Sequence, residues 1–356
     1  MIINEINLEN FRNYTNQNII LKPGINVFFG DNAQGKTNLL EAIFICSIGK
    51  SFRTNKDKEW ISFGEYNTKI KVKYSKTDRE GKMNLELGDR KRFLLNDIPL
   101  KKTSEVLGNI YIVLFTPDDI SILKEGPSYR RRFLDIMISQ LRPSYMRLLF
   151  NYNKTMIQRN NYLRQIKIEN KENSLLEVWD EELSNYGNKI FEYRKEYINK
   201  ISSKLVNIHS NITNSKENIS IEYVSNLNKK EDFINQLKNS RNIDIQRGIT
   251  SCGIHKDDFK IRINDKIINS YGSQGQHRTA VLSLKIAELE IIQEEVGEYP
   301  ILLLDDFMSE LDEERRINLL KNMKNKQVII TCTDKNVFEN LDATFFEVKE
   351  GRIYSI

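Results

Sequence analysis

The stretch Gly30-Asp31-Asn32-Ala33-Gln34-Gly35-Lys36-Thr37 constrains this chain more than any other, because it fits the spacing GxxxxGK[ST] in full. It falls between the apolar run Ile25-Asn26-Val27-Phe28-Phe29 and a helix-like stretch from Lys36 to Ile48, the strand, loop and helix context that the spacing requires. Glycines let the backbone curl until several N–H groups face one anion, and the helix start adds its partial positive charge. Residues Gly30 to Gly35 are therefore expected to cradle the phosphates of ATP. Lys36 would bridge the β and γ phosphates, and Thr37 would put its hydroxyl on Mg²⁺.

Far downstream, Ile301-Leu302-Leu303-Leu304-Asp305-Asp306 reads as a buried strand with two carboxylates at its C-terminal end, where a parallel sheet presents its ligand-binding edge. Asp305 is expected to hold Mg²⁺, directly or through water, and Asp306 to polarise the attacking water as general base. A second Ser/Gly-led helix start stands at Ser273-Gln274-Gly275-Gln276, ahead of an apolar face through Ala280, Leu284, Ala287 and Ile291. One P-loop already wraps one face of a nucleotide. The economical use of Ser273, Gly275 and Gln276 is thus to close over the γ phosphate bound by another copy of the chain.

The chain has 356 residues, more than single cores usually reach, which suggests two domains or one large domain with an insertion. The first hundred residues read as strands with one strong helix. A long charged block with helical spacing follows, including Ser144 to Arg164 and Leu175 to His209, then a polar Asn- and Lys-rich passage to about Arg247. Strand and helix alternate in the last hundred residues: Asp258 to Ile263, His277 to Glu295, Pro300 to Leu304, Glu313 to Met323 and Gln327 to Thr331. The expected division is 1–118 with the P-loop, an inserted helical lobe at 119–247, and 248–356 completing the first part. Only Cys46, Cys252 and Cys332 and three His residues occur, leaving Mg²⁺ as the one expected metal. With no basic start followed by an apolar run, and no stretch of 18 apolar residues, a cytoplasmic protein without a membrane segment is expected.

In order, Gly30 to Thr37, Ser273-Gln274-Gly275-Gln276-His277-Arg278, the Asp305-Asp306 strand and Ser309-Glu310-Leu311-Asp312 resemble the P-loop, signature, Walker B and D-loop of ABC-type ATPases. More narrowly, five segments resemble the RecF family of bacterial recombination mediators, over essentially the whole chain. They are Leu8 to Tyr14, Gly49 to Thr54, Phe115 to Asp119, Arg130 to Asp135 and His255 to Phe259. The resemblance implies an α/β ABC-type ATPase head split in sequence, with a parallel core sheet, an antiparallel β region and an inserted helical lobe. It also implies a DNA-binding protein that acts with RecO and RecR at single-strand gaps and stalled forks and helps RecA load. An ATP-driven homodimer with slow hydrolysis is part of that expectation. Two positions depart from the usual ABC pattern: Asp306 stands where most such sites have Glu, and no His follows Gln327 to Thr331. Thr331 or Thr333 is left as γ-phosphate sensor, and Gln140 is the candidate for the Q-loop glutamine.

The net charge of +5, from 54 Lys and Arg against 49 Asp and Glu, decides little, so position has to carry any DNA argument. Lys50 and Arg53 lie just beyond the P-loop helix and are the leading phosphate-contact candidates, ahead of Arg130, Arg131 and Arg132 and of Arg90-Lys91-Arg92. The alternatives fit less well. A transporter ATPase subunit calls for a Leu-Ser-Gly-Gly-like signature, a switch His and a shorter chain. A nuclease calls for a further acidic metal cluster. SMC-type heads insert long heptad arrays, whereas ordinary helices and strands stand here, so no long coiled coil is expected.

Overall fold

Alternating residues such as Thr68 to Tyr74 pair into one sheet, while the continuous apolar runs build another. A computed structural model of the chain describes residues 1–169, 175–227, 232–306, 326–338 and 341–356. These fall into two units, Met1–Asp119 with Lys285–Ile356, and Ile120–Leu284. The first begins with β1 (Ile2–Phe11), β2 (Tyr14–Ile20), β3 (Ile25–Phe29), α1 (Lys36–Ile48), β4 (Thr68–Ser75) and β5 (Glu80–Leu87). It continues through β6 (Lys91–Leu95), β7 (Ile98–Pro99) and β8 (Ile112–Phe115). The second holds α2 (Ser121–Lys124), α3 (Pro127–Leu141), α4 (Pro143–Glu169), α5 (Leu176–Thr213), β9 (Ile219–Val224) and α6 (Phe233–Arg247). After these come β10 (Asp258–Ile263), β11 (Lys266–Ile267) and α7 (Ile268–Tyr271). Then α8 (Gln274–Val296) leads to β12 (Ile301–Asp305), β13 (Val328–Cys332), β14 (Ala343–Lys349) and β15 (Arg352–Ser355).

In the first unit an antiparallel sheet has the order β2-β1-β4-β5-β6-β7, and a second sheet has the order β15-β14-β3-β13-β12-β8. The pairs β14/β3, β3/β13, β13/β12 and β12/β8 are parallel, and β15 alone joins antiparallel. The parallel strands β8, β12 and β13 are buried along their whole length, in keeping with sequences that are apolar but for Asp305 and Thr331. Helix α1 packs on β1, β4 and β5 of one sheet and on β8, β12 and β13 of the other. That explains its lack of a polar face, with Leu39 to Ile48 buried throughout.

The second unit is the helical lobe, but its limits differ from the expected 119–247. It continues to Leu284 because β10 pairs with β9, Ile261 opposite Ile221 and Ile263 opposite Ile219, in the sheet β11-β10-β9. Residues 248–284 thus pack with the lobe. Two buried arginines tie its helices together. Arg159 donates to Asp180 at 2.7 Å and Asp244 at 2.7 Å, and Arg194 reaches Asp135 at 3.0 Å. Each guanidinium faces a carboxylate, the condition under which burial of an ion is tolerated, although Arg159 Nη2 has no hydrogen-bond partner among the described residues. Helices α4, α5 and α6 pack on one another. Among the described residues, no helix is long and apolar enough to cross a membrane.

His255 gives this lobe a pH dependence. Its Nε2–H donates to the Thr250 carbonyl at 3.1 Å and its Nδ1 accepts the Tyr152 hydroxyl at 2.8 Å, so the ring is held neutral. Burial lowers its pKa to about 4. The unfolded chain therefore binds more protons between pH 6.5 and 4, and stability present above pH 6.5 is lost on acidification through that window. This group's share is on the order of 3 kcal/mol. Denaturant unfolding across that window should show a flatter pH dependence for His255→Gln than for the parent chain; equal slopes would remove the assignment.

Candidate functional site

The P-loop leaves β3 at Phe29 and enters α1 at Lys36, with Asp31, Asn32 and Ala33 exposed at its mouth. At Gly30 the neighbouring strand comes so close that a Cβ would stand 2.2 Å from the Val348 carbonyl oxygen. At Gly35, with φ of 120°, it would meet the Asn13 side chain at 2.6 Å. Only glycine fits either place. The loop is also held from outside. Asn13 Nδ2 donates to the Gln34 carbonyl at 2.8 Å, Tyr14 Oη to the Gly35 carbonyl at 2.9 Å, and Gly351 N to the Gln34 carbonyl at 3.2 Å. The hairpins β1–β2 and β14–β15 thereby fix the loop's shape, roles for Asn13, Tyr14 and Gly351 that the motif spacing does not reveal.

Lys36 is buried, and its Nζ donates to the carbonyls of Gly30 at 2.6 Å and Asp31 at 2.8 Å. Burial lowers its pKa, with Asp306 acting most strongly in the opposite direction. An ammonium so placed gains from a phosphate arriving at the mouth of the loop. Thr37 Oγ1 donates to Asp305 Oδ1 at 2.9 Å, joining positions 268 residues apart. Asp305 lies at the end of β12, opposite Thr331 of β13. Burial raises the Asp305 carboxyl above the usual carboxylate range, against the hydrogen bonds from Thr331 and Thr37. The poorly solvated carboxylate stands to gain from a cation.

Thr331 corrects one expectation. Its hydroxyl is fully buried, donates to Asp305 Oδ1 at 2.8 Å and accepts from Asp306 N at 3.0 Å. It sets the two acidic residues and is not aimed at a phosphate, whereas Thr333 is exposed. Asp306 has φ of 50°, in the left-handed region. The nearby Cys332 thiol is pushed up to about 12 by burial, which keeps it protonated.

Ser273 and Gln276 cap α8 reciprocally. Gln276 N donates to Ser273 Oγ at 3.2 Å and Ser273 N to Gln276 Oε1 at 2.9 Å, a capping box. Ser273 and Gly275 are exposed, and a Cβ on Gly275 would meet only Ser273 Oγ, at 3.9 Å. Among the described residues nothing requires glycine there. Gln140 is buried on α3. The D-loop segment Ser309 to Asp312 and the expected helix Glu313 to Met323 lie outside the described residues.

The cationic candidates separate. Lys50 is exposed, and Arg53 is partly exposed while its Nη1 donates to Asn38 at 2.6 Å and pairs with Glu41 at 3.3 Å. Glu41 is itself buried and also takes Arg12 Nη2 at 2.7 Å and Ser51 Oγ at 2.5 Å. Arg130 does not serve as a DNA contact: it is buried, with two bonds to Asp258, at 2.5 and 3.1 Å, and bonds to the Ile122 and Glu125 carbonyls. Arg131 is half-buried and donates to the Asp257 carbonyl at 2.7 Å, and Arg132 is exposed. Of Arg90-Lys91-Arg92, Lys91 is committed to Asp57 at 2.6 Å.

Comparison with known proteins identifies the family. The family model of an AAA domain matches residues 5–344. The DNA replication and repair protein RecF of Alkaliphilus oremlandii is 46% identical, covering 99% of this chain and 100% of the relative. The protein of the same name from Clostridioides difficile is 42% identical, covering 100% and 99%. The solved structure of the recombination mediator protein RecF-ATPrS in the RecFOR pathway superposes with a TM-score of 0.94 at 39% identity, covering 100% of this chain and 98% of that one. An Smc head domain from Pyrococcus furiosus, at 18% identity and a TM-score of 0.58, shares the fold.

Proposed function

The chain belongs to the RecF family of DNA replication and repair proteins, and from that premise we propose that an ATP-bound homodimer of it closes on DNA at single-strand gaps and stalled forks. It is an ATP-dependent, DNA-binding recombination mediator with weak ATPase activity, working with RecO and RecR in the RecFOR pathway. RecA loading is the step that the complex promotes, and hydrolysis resets it.

The observation that carries the dimer reading is Gly275. It is exposed at the α8 N-terminus, led by Ser273, and among the described residues no neighbour explains the missing side chain. A γ phosphate held by the partner's P-loop supplies the reason, because it needs close backbone approach and free N–H groups. Ser273 and Gly275 then complete the partner's site, with Gln276 holding Ser273 in place, while Gly30 to Thr37 hold the nucleotide in their own chain.

The donor set suits Mg²⁺. Among the described residues no three or more His, Cys, Asp or Glu stand together. Thr37 and Asp305 instead offer one hydroxyl and one buried carboxylate, the hard, sparse set that this ion takes alongside phosphates. Bound there, Mg²⁺ would neutralise charge on the β and γ phosphates. Thr331 keeps Asp305 oriented, Lys36 moves from the Gly30 and Asp31 carbonyls to the phosphates, and Asp306 accepts a proton from the attacking water.

Sedimentation of the wild type and Ser273→Arg, with and without ATP and gapped DNA, tests the reading. ATP is expected to dimerise the wild type and not the variant. A wild type that stays monomeric, or binds no DNA under any nucleotide condition, ends it. Lys50 and Arg53 are the DNA contacts. The pair Lys50→Glu and Arg53→Ala should retain ATP binding but lower the salt dependence of DNA affinity by about two phosphate contacts. Arg53 is replaced by Ala because a new carboxylate would face buried Glu41. An unchanged salt slope would sink the assignment.

A further inference from the structure

The signature turn is held by a side-chain relay that ends at the last turn of α5. Gln276 has both ends of its amide engaged: Oε1 accepts from Ser273 N at 2.9 Å, and Nε2 donates to Glu217 Oε1 at 2.9 Å. The other oxygen of Glu217, Oε2, meets His209 Nε2 at 3.2 Å, and His209 Nδ1 meets Ser283 Oγ on α8 at 2.9 Å. His209 and Ser283 are fully buried, whereas the Glu217 side chain is 21% exposed. A specific turn puts Glu217 there. Asn214 and Ser215 follow α5 with φ of 51° and 59°, and Ser215 N bonds back to the Ser210 carbonyl at 2.8 Å, reversing the chain toward β9.

We infer that Glu217 is a positioning residue for the composite ATP site: braced by His209, it fixes the Gln276 amide and thereby presents Ser273 and the α8 N–H groups to the nucleotide of a second copy. Every link lies within Ile120–Leu284. The capping box fixes Ser273 to Gln276, and the Ser273 carbonyl also takes His277 N at 3.0 Å and His277 Nδ1 at 2.7 Å. The bond from Gln276 to Glu217 adds a tie from outside the turn, and His209 anchors Glu217 both to α5 and, through Ser283, to the body of α8. Preorganisation of this kind lowers the ordering cost of closure and is felt in dimerisation, not in nucleotide capture by one chain.

The inference rests on the shared-site reading above, and four chains separate the two. ATP-dependent dimerisation is followed by sedimentation, and binding of a fluorescent ATP analogue is measured at concentrations where the chain is monomeric. Glu217→Ala should weaken dimerisation at least about tenfold, the scale of a lost charge-assisted bond on a preorganised surface, with unchanged analogue binding. Glu217→Gln retains an acceptor for Gln276 and should restore dimerisation to within about twofold of wild type. Ser273→Arg should abolish dimerisation, and Glu217→Ala added to it should change nothing further. If Ser273→Arg dimerises normally, the shared site falls and the relay with it. If Ser273→Arg fails to dimerise while Glu217→Ala behaves as wild type, the relay alone is overturned. Loss of analogue binding in Glu217→Ala, or failure of Glu217→Gln to restore dimerisation, also overturns it.

Discussion

Lys36→Met should hydrolyse ATP about 100- to 1,000-fold more slowly than the wild type and should not dimerise with ATP, the scale of removing one preorganised donor from a reacting centre. The reasoning starts from burial. Lys36 lies inside the loop with its stem packed, and methionine preserves that packing while deleting only the charge. In the wild type, Nζ rests on the Gly30 and Asp31 carbonyls. Burial destabilises the ammonium there, so exchange of those carbonyls for phosphate oxygens is favourable. Methionine offers no such exchange. The two carbonyls it leaves belong to a loop whose mouth is exposed, so water can satisfy them and the fold should persist. Lys36→Arg preserves the charge but spreads it over a planar fork too large for this cradle, and should lie between the two. A Lys36→Met chain that hydrolyses within threefold of wild type would show that the loop does not act through this residue.

The parts of this site that can be read from the sequence are those whose chemistry is written in short spacings. Gly30 to Thr37 form such a spacing, and α1 runs over the expected span, Lys36 to Ile48. Strands β12 and β13 lie within one residue of their expected positions because continuous apolar runs bounded by polar residues have few other uses. Features set by distant partners were not legible. Strand β9 sits in a polar, Asn- and Lys-rich passage with weak alternation, and it exists as a strand because Ile219 and Ile221 meet Ile263 and Ile261 of β10. Helix α6 ends that same passage, with Phe233 and Leu237 as its main buried apolar anchors.

The same division separates the arginines. In the sequence, Arg130-Arg131-Arg132 is a run of positive charge. In the fold, Arg130 meets Asp258, 128 positions away, and turns from a surface cation into a buried strut. Asn13 and Tyr14, 21 positions before the loop residues they hold, read as an ordinary turn until the hairpin returns them to Gln34 and Gly35. The sequence leaves Thr331 or Thr333 open as a γ-phosphate sensor and gives no sign of the bond from Thr331 to Asp305, since β-sheet register, not spacing, places the two side by side.

Asp306→Asn should separate chemistry from assembly. Hydrolysis is expected to fall by about 100- to 10,000-fold, the range for losing a general base, while the ATP-bound dimer forms and lasts longer. The backbone makes asparagine the right probe. At φ of 50°, with its N–H shared between Thr331 Oγ1 at 3.0 Å and the Thr331 carbonyl at 3.2 Å, position 306 takes a conformation that Asn and Asp adopt more readily than longer side chains. That preference also gives a physical reason for aspartate at this position. The shorter side chain suits the turn and has less reach than glutamate, in keeping with weak ATPase activity. Asp306→Glu should therefore bring no large gain in rate, because the extra reach comes with added backbone strain. The contrast with Lys36→Met is diagnostic: removing the ammonium should lose dimer and hydrolysis together, whereas removing the base should trap the dimer on DNA. Sedimentation with ATP alongside single-turnover hydrolysis reads both quantities. Wild-type hydrolysis by Asp306→Asn would assign the base elsewhere, and loss of its dimer would make residue 306 part of nucleotide capture.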